Sequence, residues 1–385
     1  MTAAVIGTGH IAHQHLECLQ QLAGVETVAV CDLSPATAAA TADRFCVPRH
    51  FCDHRELLRD VHVDVVHVTT PVQSHASICR DALQQGAHVI VEKPLAMDME
   101  EAESLIQLAE ANDRWIVEDF NYLFNPEFAA ILQRIETRNN DATENSQPHP
   151  TCCVVHVDVQ LFLDMKTAGG GVAGIRNSKE VVRDFLPHLA SITRRLLGPI
   201  ERVHVDWPTV TGSTGIEFRA SVASKTATAN LVFSSRAQPD MFQVRVQTER
   251  FSAECQLFEP YLHFDVRHSG ARPLIPLRNG LAKSRAARGS ALRGLWRKLA
   301  GRPGAYEGLW KLIAGTYQAV SALSSPHQVG ALNAPSAPVS HGLIRDTNEL
   351  VHRILETSTV HNARWLAKRR TYSTDDRTEF RIGAT

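Results

Sequence analysis

The sequence contains no long apolar run and carries almost no net charge. No stretch reaches the roughly 18 consecutive apolar residues that a membrane-spanning helix requires, so we expect no transmembrane segment. The formal net charge is −1 over 385 residues, which removes whole-protein charge as an argument for binding nucleic acid or a membrane. The composition is also unlike that of collagen, of a coiled coil or of a wholly disordered chain.

Two further features bear on the compartment. Neither the basic region nor the cleavable apolar segment of a secretory leader follows Met1. The eight cysteines are scattered along the chain, and a chain of this length can fold without disulfides. We therefore expect reduced thiols and a cytoplasmic location.

Hydrophobic residues make up 44% of the chain and charged residues 21%, which is typical of a globular protein with a substantial core. At about 150 residues per domain, this length predicts two domains, with room for one large insertion.

The first 120 residues alternate short apolar strands with amphipathic helices. Near-continuous Val and Ile runs, as in Val63–Val68, are typical of parallel strands that helices cover on both faces. We predict an α/β fold, with an N-terminal doubly wound Rossmann domain over residues 1–122. The predicted elements are the strands Ala3–Ile6, Thr27–Cys31, Val63–Val68, Ala87–Val91 and Trp115–Val117 and the helices His10–Leu22, Pro35–Phe45, Ser74–Gln85 and Asp98–Ala111.

The pattern changes after Tyr122. A helix is predicted over Pro126–Glu136, and the polar stretch Thr137–Thr151 reads as a loop. Strand signals then dominate, and the short connections between them favour antiparallel pairing. We predict a C-terminal α+β domain over residues 123–385 with a large, mostly antiparallel open sheet. Its predicted strands are Val154–Phe162, Arg202–Asp206, Ile216–Ser224, Thr226–Ser234, Gln243–Thr248, Ser252–Phe258 and Leu262–Arg267, and a last helix spans Gly342–Leu355.

Residues 278–311 form a basic segment with nine Lys and Arg residues against one acid, Glu307. Leu292, Leu295, Trp296 and Leu299 fall on one helical face, which predicts a basic amphipathic helix inserted in the second domain. Three interpretations stay open. The helix could be a solvated cover for the sheet, a site for an anionic substrate group such as the phosphates of a nucleotide sugar, or a contact with an anionic membrane surface.

A glycine fingerprint follows the first predicted strand directly. Gly7-Thr8-Gly9-His10-Ile11-Ala12 has the form G-x-G-x-x-G/A, in which Gly7 permits a tight turn and Gly9 lets the backbone approach a pyrophosphate. The start of the helix adds free N–H groups and a partial positive charge. Asp32 ends the second strand, where an acid binds ribose hydroxyls and repels a 2′-phosphate. We therefore expect NAD as the cofactor in preference to NADP.

Three further motifs carry a family resemblance: Thr69-Thr70-Pro71, then His75 at the start of a helix, and Glu92-Lys93-Pro94 after a buried strand. With these motifs the chain resembles the glucose–fructose oxidoreductase / inositol dehydrogenase / MocA family. The resemblance implies a Rossmann domain followed by a sheet domain, enzymes that oxidise or reduce sugars, cyclitols and related alcohols, and a D-x-x-x-H pair that matches Asp184 and His188. The fingerprint and the resemblance together assign to the cofactor Gly7, Gly9, His10, Ile11, Asp32, Thr70, Pro71, His75, Glu92 and Lys93.

The catalytic residues that the resemblance implies are Lys93, Asp184 and His188. A histidine has an intrinsic pKa suited to removing a hydroxyl proton near neutral pH. Asp184, four residues earlier, would share its helix face and orient the imidazole or hold a substrate hydroxyl. Lys93 would hydrogen-bond the reacting oxygen and could share the base role beside a cationic nicotinamide.

The chain departs from the family pattern around this pair. Leu186 stands where the family commonly has glycine, and Gly169-Gly170-Gly171 lies more than ten residues before Asp184. The helix could begin near Ser178, in which case Pro187 would kink it, or near Asp184. The candidate substrate residues in this region and at the domain junction are Tyr122, Asn125, Lys166, Arg176 and Asn177.

The leading hypothesis is an NAD(P)-dependent oxidoreductase that transfers a hydride between nicotinamide and a hydroxyl or keto carbon of a sugar, cyclitol or sugar derivative. The alternatives are a keto-sugar or imine reductase of a biosynthetic pathway and a non-catalytic, dinucleotide-binding regulator. We expect no metal, because the Cys46, His50, Cys52 and His54 cluster lies in a variable connection without a second ligand pair. We also expect no nucleic-acid partner. The open sheet, as in the family, predicts a homodimer or homotetramer.

Overall fold

A computed structural model describes residues 1–140, 154–163, 178–207, 216–266, 275–299, 306–323 and 336–357. The first part of the chain contains six strands, six helices and two short 3-10 helices. The strands are β1 (Thr2–Ile6), β2 (Glu26–Cys31), β3 (His50–Phe51), β4 (Val65–Val68), β5 (His88–Val91) and β6 (Ile116–Glu118). The helices are α1 (His10–Leu19), α2 (Pro35–Phe45), α3 (His54–Asp60), α4 (His75–Gln84), α5 (Met99–Ala111) and α6 (Pro126–Asn140), and the 3-10 helices span Val72–Ser74 and Asn121–Phe124.

The six strands form one parallel sheet in the order β3-β2-β1-β4-β5-β6. Every residue of β4 and β5 is buried, as expected for parallel strands covered on both faces. The strand order reverses beside β1, which pairs with β2 on one side and β4 on the other. Ligands of such sheets bind in the crevice that opens there, at the carboxyl ends of the strands.

The Rossmann prediction is confirmed, with local differences. Helix α1 ends at Leu19 instead of Leu22, because the next residues form i→i+3 turns and Gly24 adopts a φ of +76°. The short strand β3 agrees with the loop and short strand that the family resemblance implies for this connection, whereas helix α3 was not predicted. The Asp53 side chain caps α3 by accepting from the Arg55 N–H, and the Cys46–His54 stretch is thus an ordinary connection.

The second part of the chain forms a seven-stranded sheet in the order β13-β12-β11-β7-β10-β9-β8. The strands are β7 (Val154–Phe162), β8 (Arg202–Asp206), β9 (Glu217–Ala223), β10 (Thr228–Ser234), β11 (Met241–Thr248), β12 (Phe251–Gln256) and β13 (Tyr261–Val266). All pairs are antiparallel except β7 with β10, which is parallel. A helical crossover follows β7 along the chain, and such a crossover, unlike a hairpin, permits parallel pairing.

Four more helices complete the second part: α7 (Ser178–Leu197), α8 (Ile275–Leu299), α9 (Glu307–Leu323) and α10 (341–357). Helix α7 covers one face of the sheet at β7 and β10, and α8 packs on the edge strand β13. Helix α7 begins at Ser178 with Pro187 inside it, so the earlier of the two predicted starts is the observed one. Helix α6 extends to Asn140, past the predicted loop start. None of the helices described here has the length and hydropathy that would let it cross a bilayer.

Helix α9 returns to the first part of the molecule. Leu309, Leu312 and Ile313 are fully buried, and the helix packs on α1 and on the 3-10 helix Asn121–Phe124. Its apolar spacing is typical of a helix, yet the sequence analysis did not assign one. Both parts of the chain therefore share one continuous core.

Candidate active site

The first glycine of the fingerprint has a strict steric role. Gly7 adopts a φ of +91°, and a Cβ there would lie 2.7 Å from the Thr70 nitrogen, so no larger residue fits without backbone movement. The Gly7 N–H donates to the Cys31 carbonyl at 2.8 Å. This glycine thus lets β1, β2 and β4 end close together.

The start of helix α1 faces open space. Its N-cap residue, Gly9, provides no side-chain hydrogen bond, whereas Ser34, Asp53 and Asp98 cap α2, α3 and α5. A Cβ on Gly9 would meet nothing within 4 Å. Since the first N–H groups of a helix need partners, this uncapped terminus has donors to offer to a pyrophosphate.

The Asp32 carboxylate closes the other side of the same crevice. Its Oδ2 accepts from the Thr8 N–H and the Thr8 hydroxyl, both at 2.9 Å, and its Oδ1 accepts from the Ser34 N–H at 2.9 Å. Burial raises the pKa of Asp32, but these hydrogen bonds outweigh it, so the pKa lies below its usual value. Asp32 is therefore an oriented anion at the place where a ribose binds in this fold.

Residues after β4 and β5 are tied together by His75. Its ring is buried, with Nε2 2.8 Å from the Thr70 carbonyl and Nδ1 2.9 Å from the Pro94 carbonyl. Burial lowers the pKa of His75 despite the two carbonyls. The structure thus places His75 behind the crevice, where it joins two loops, and not at a position with a nitrogen free for the cofactor.

Lys93 crosses from the first sheet to helix α7. Its Nζ donates to the Asp184 backbone carbonyl at 2.8 Å, so this helix and the end of β5 meet at one point. The sequence analysis expected the Asp184 carboxylate in the site, and the Lys93 contact instead uses its main chain. Because an ammonium has three N–H donors, Lys93 retains two for other partners.

His188 lies one helical turn further along α7 and is buried. The Tyr122 ring packs edge-on against its imidazole with ring centroids 4.7 Å apart. Burial, together with the nearby Lys93 ammonium, lowers the pKa of His188 well below its usual value. Its Nδ1 is buried and has no hydrogen-bond partner among the described residues. The structure thus brings a neutral imidazole from helix α7 and a cation from the end of β5 into one neighbourhood.

Glu92 belongs to a buried group that adjoins Lys93. His15, Glu92 and Asp119 place their ligating atoms within 4.8 Å of one another, and the His15 Nε2 lies 3.5 Å from a Glu92 oxygen. Burial raises the pKa of both acids, but His15 and Lys93 bring that of Glu92 below normal, while Glu92 pushes that of Asp119 further up. One negative charge therefore resides on Glu92, and Asp119 keeps its proton.

The group continues inward as a chain of hydrogen bonds. The His15 Nδ1 lies 2.8 Å from the His67 Nδ1, and the His67 Nε2 lies 2.9 Å from the Tyr317 hydroxyl. Only one of the two Nδ1 atoms can carry the proton. If Tyr317 donates to His67 and His67 to His15, the His15 Nε2–H points at Glu92. This tautomer assignment satisfies both hydrogen bonds and directs the His15 Nε2–H toward the Glu92 carboxylate, whose Oε1 lies 3.5 Å away, too far for a hydrogen bond.

Other predicted site residues have different surroundings. The Asn125 amide caps α6, with Oδ1 accepting from the Glu127 N–H at 3.0 Å and Nδ2 donating to the Leu257 carbonyl at 3.3 Å. These bonds give Asn125 a structural role, and its substrate role stays a prediction. Lys166, Arg176 and Asn177 lie outside the described residues. In the part of the chain that the structure covers, the Cys46–His54 residues form no ligand cluster, and His15, Glu92 and Asp119 do.

The sequence analysis missed His15, His67, Asp119 and Tyr317. Asp119 had a signal, since it directly follows β6 at the same sheet edge as Asp32 and Lys93. A histidine in a buried strand, such as His67 in β4, also needs a buried hydrogen-bond partner. No local pattern pointed to Tyr317.

Comparison with known proteins assigns the first domain. Residues 1–120 match the GFO_IDH_MocA family model, described as "Oxidoreductase family, NAD-binding Rossmann fold". The first domain belongs to this family. The predicted resemblance is thereby confirmed, as is the NAD-binding type of the domain.

Two curated relatives that the chain resembles have named activities. Inositol 2-dehydrogenase of Salmonella typhimurium is 32% identical over 120 residues, which cover 31% of this chain and 36% of that protein. D-Apiose dehydrogenase of Paraburkholderia graminis is 23% identical over 264 residues, 67% of this chain and 68% of that protein. The match to inositol 2-dehydrogenase thus spans only about a third of the length of that relative.

Likeness to solved structures extends over both sheets. The structure of a dehydrogenase from Chromobacterium violaceum has a TM-score of 0.71 and 17% identity, and the match covers 96% of this chain and 98% of that one. The predicted combination of a Rossmann domain with a mostly antiparallel sheet domain is confirmed by this likeness of fold.

Proposed function

We propose that the chain is an NAD-dependent oxidoreductase that transfers a hydride between the nicotinamide and a hydroxyl or keto carbon of a polyol, sugar or sugar derivative. The observation that carries the proposal is the meeting of Lys93 with helix α7 beside the neutral His188. A cation and a proton acceptor are the two groups that interconversion of an alcohol and a carbonyl requires.

The two side chains divide the work as follows. In the oxidation direction, His188 accepts the hydroxyl proton of the substrate. Lys93 donates a hydrogen bond to the same oxygen and stabilises the negative charge that develops on it. Its bond to the Asp184 carbonyl fixes the ammonium in place before substrate binds. Preorganisation of this kind is a main source of catalytic stabilisation.

The cofactor residues fit a dinucleotide. NAD, when bound, supplies the acceptor or donor of the hydride. Gly9 and the uncapped start of α1 would hold the pyrophosphate, because their N–H groups face open space. Asp32 would bind the adenosine ribose. The other residues that the sequence assigned to the cofactor, His10, Ile11, Thr70 and Pro71, lie on the same crevice edge and are proposed to line it.

The substrate class is inferred from chemistry and relatives together. The curated relatives act on inositol and D-apiose by name, and both are polyhydroxylated. Tyr122 places an aromatic ring against His188, and such rings commonly pack against the C–H faces of sugars. We therefore propose a cyclic polyol or sugar, and a sugar nucleotide remains within this class.

The test is a turnover assay with purified protein. NADH formation from NAD⁺ is followed by absorbance with cyclitols, aldoses and sugar nucleotides as substrates. Reduction of ketoses is followed as the loss of NADH absorbance. With the best substrate, His188→Asn and Lys93→Met should each lower kcat by about 10²–10⁴-fold, the usual contribution of acid–base groups. The NADH affinity of His188→Asn, measured by fluorescence, should stay within a few-fold of wild type.

His62→Asn is the matched control, because this histidine side chain is 87% exposed and lies between α3 and β4. It should leave kcat unchanged. Persistent turnover in His188→Asn would refute its role. Tight NADH binding with no turnover on any member of the panel would favour a non-catalytic regulator instead.

A homodimer or homotetramer is part of the proposal. One face of the second sheet carries a polar groove of about 760 Å³ lined by residues of β8, β9 and β10, a surface suited to a second copy of the chain. We also propose a cytoplasmic location. Sedimentation of the purified protein tests the first point, and fractionation of cells tests the second.

A further inference from the structure

Helix α8 presents its large apolar side chains away from the protein. Trp296 is 70% exposed, Leu299 72% and Leu277 62%, and Leu281, Leu292 and Leu295 are also exposed. At 100° per residue these six positions fall within an arc of about 100°. The arc forms a continuous apolar face along the helix, which we call the outer face of α8.

The opposite face of α8 contacts the protein and consists mainly of small residues. Ser290 is buried, and Gly294 lies against Pro260, where a Cβ would be in ordinary van der Waals contact at 3.5 Å from the ring. The basic segment was expected to cover the sheet with its leucine face. The structure shows the opposite orientation, because the face that carries Ser290 and Gly294 contacts the protein and the helix packs on β13.

The cations of α8 divide between the two faces. Lys283, Arg293 and Arg297 turn inward, where Lys283 lies 3.9 Å from Asp265, Arg293 donates to the Pro260 carbonyl at 3.0 Å and Arg297 lies 3.0 Å from Glu127.

Three of the four cations that remain lie on the outer side, whereas Lys298 is exposed between the two faces. Arg278, Arg285 and Arg288 fall within the apolar arc, and none of them forms an ion pair with any described residue. The helix contains no acidic residue. A surface of exposed Leu and Trp with unpaired arginines between them is typical of helices that lie in a lipid interface.

We propose that the outer face of α8 binds the surface of an anionic lipid bilayer, with Trp296 and the leucines in the interfacial layer and Arg278, Arg285 and Arg288 on lipid phosphates. Arginines at the edge of a lipid-facing helix extend their aliphatic stems along apolar surface and place the charge in the headgroups. The apolar face contributes to binding through the apolar area that it buries in the membrane interface. The cations contribute through attraction to the negative lipid surface.

The charge of α8 favours a lipid surface over two other ligands of the outer face, a second copy of the chain and a phosphate-bearing substrate. A second copy docking on this face would bring two helices with seven cations each and no acid into contact, which is electrostatically unfavourable. A phosphate-bearing substrate would need the inward cations, and Arg293 and Arg297 already have protein partners. A phosphate-bearing substrate also gives no reason for the exposed Trp296.

The test is binding of the purified full chain to vesicles. Sedimentation with phosphatidylcholine vesicles containing 30% phosphatidylglycerol, on the order of the anionic content of natural membranes, should give binding that falls steeply with salt. Pure phosphatidylcholine should bind far more weakly. Removing one cation near an anionic surface costs about fivefold in affinity, so Arg278→Gln/Arg285→Gln/Arg288→Gln should lose about a hundredfold.

A charge-matched control uses exposed arginines remote from α8. Arg49→Gln/Arg59→Gln/Arg250→Gln removes the same charge from surfaces of the first sheet and of a β-turn, and should bind like wild type. Trp296 provides a spectroscopic readout, since lipids brominated on their acyl chains should quench its fluorescence. In Trp296→Phe the quenching should drop while the protein stays folded by circular dichroism.

Three results would overturn the proposal. The first is no binding to anionic vesicles at low salt, and the second is equal loss of binding in the two triple variants. The third is a self-association, seen by sedimentation without lipid, that Trp296→Ser abolishes, because this would assign the outer face to a second copy.

Discussion

Replacement of Asp32 by serine is predicted to change which nicotinamide dinucleotide the protein binds. The carboxylate would hydrogen-bond the ribose hydroxyls of NADH, and a bond to a charged acceptor contributes about 1.5–3 kcal/mol. The 2′-phosphate of NADPH would instead meet a negative charge. At 4 Å and an effective dielectric constant of 20, two unit charges interact with about 4 kcal/mol, and the partial exposure of Asp32 reduces this to about 2 kcal/mol.

The two contributions together favour NADH in the wild type by about 4 kcal/mol, which corresponds to about a thousandfold in Kd. Asp32→Ser removes both contributions. It also frees the Thr8 N–H, the Thr8 hydroxyl and the Ser34 N–H, which Asp32 now holds, and these donors suit a phosphate. We expect the ratio of the two Kd values to shrink by at least about a hundredfold, which is some 2.8 kcal/mol.

Titration of NADH and NADPH by fluorescence measures this ratio in both proteins. Asp43→Ser is the control, because Asp43 is an exposed acid of α2 and its loss changes the net charge equally. It should leave the ratio as in wild type. If Asp32→Ser shifts the ratio by less than threefold, the carboxylate does not face the ribose, and the placement of the cofactor would be wrong.

Two further predictions concern the buried polar groups. Tyr317→Phe leaves the His67 Nε2 without its donor and should lower the free energy of unfolding by about 1–3 kcal/mol, measured by urea denaturation. Tyr261→Phe, at a less buried edge strand, should change it far less, and equal losses would argue against the bond. Glu118 is buried, and burial raises its pKa to about 8, so unfolding releases its proton between about pH 4.5 and 8. Stability should therefore fall as pH rises from 6.5 to 8, by up to about 1.4 kcal/mol per pH unit for this group. Glu118→Gln should reduce this slope, and an unchanged slope would contradict the assignment.

The Rossmann domain could be predicted from sequence because its signals are local. Burial of whole strands produces apolar runs, and Gly7, Gly9 and Asp32 stand at spacings that one turn and one strand determine. The β7–β10 pairing was not predictable in the same way, since it depends on where a crossover returns the chain. Strand bounds such as Val154–Phe162 were nevertheless confirmed.

The candidate site could be predicted only in part. Lys93 and His188 came from motifs, and the structure brings them near each other. That the Asp184 main chain, and not its carboxylate, accepts from Lys93 depends on the course of a helix containing a proline. The His15–His67–Tyr317 chain joins residues separated by 52 and 250 positions, so no sequence window contains it.

The orientation of α8 is a further feature that could not be predicted from the sequence. A helical wheel identifies the apolar face of a helix but does not say which face the protein covers. Here the face with Ser290 and Gly294 contacts the protein, and the leucines are left outside. A sequence rule that places every large apolar face inward is wrong for this helix.

Helix α9 lies in the second part of the sequence but packs against the first sheet domain, so the nucleotide-binding half includes residues from both parts of the chain. Its Tyr317 completes a hydrogen bond inside the first sheet, its Trp310 carbonyl accepts from the Cys18 thiol, and Gly308 leaves no room for a side chain beside Asn121. The nucleotide-binding half is thus discontinuous in the chain. Truncation after Tyr122 would remove helix α9, which packs against it. Any excision, fusion or swap of that half has to carry residues 307–323 with it.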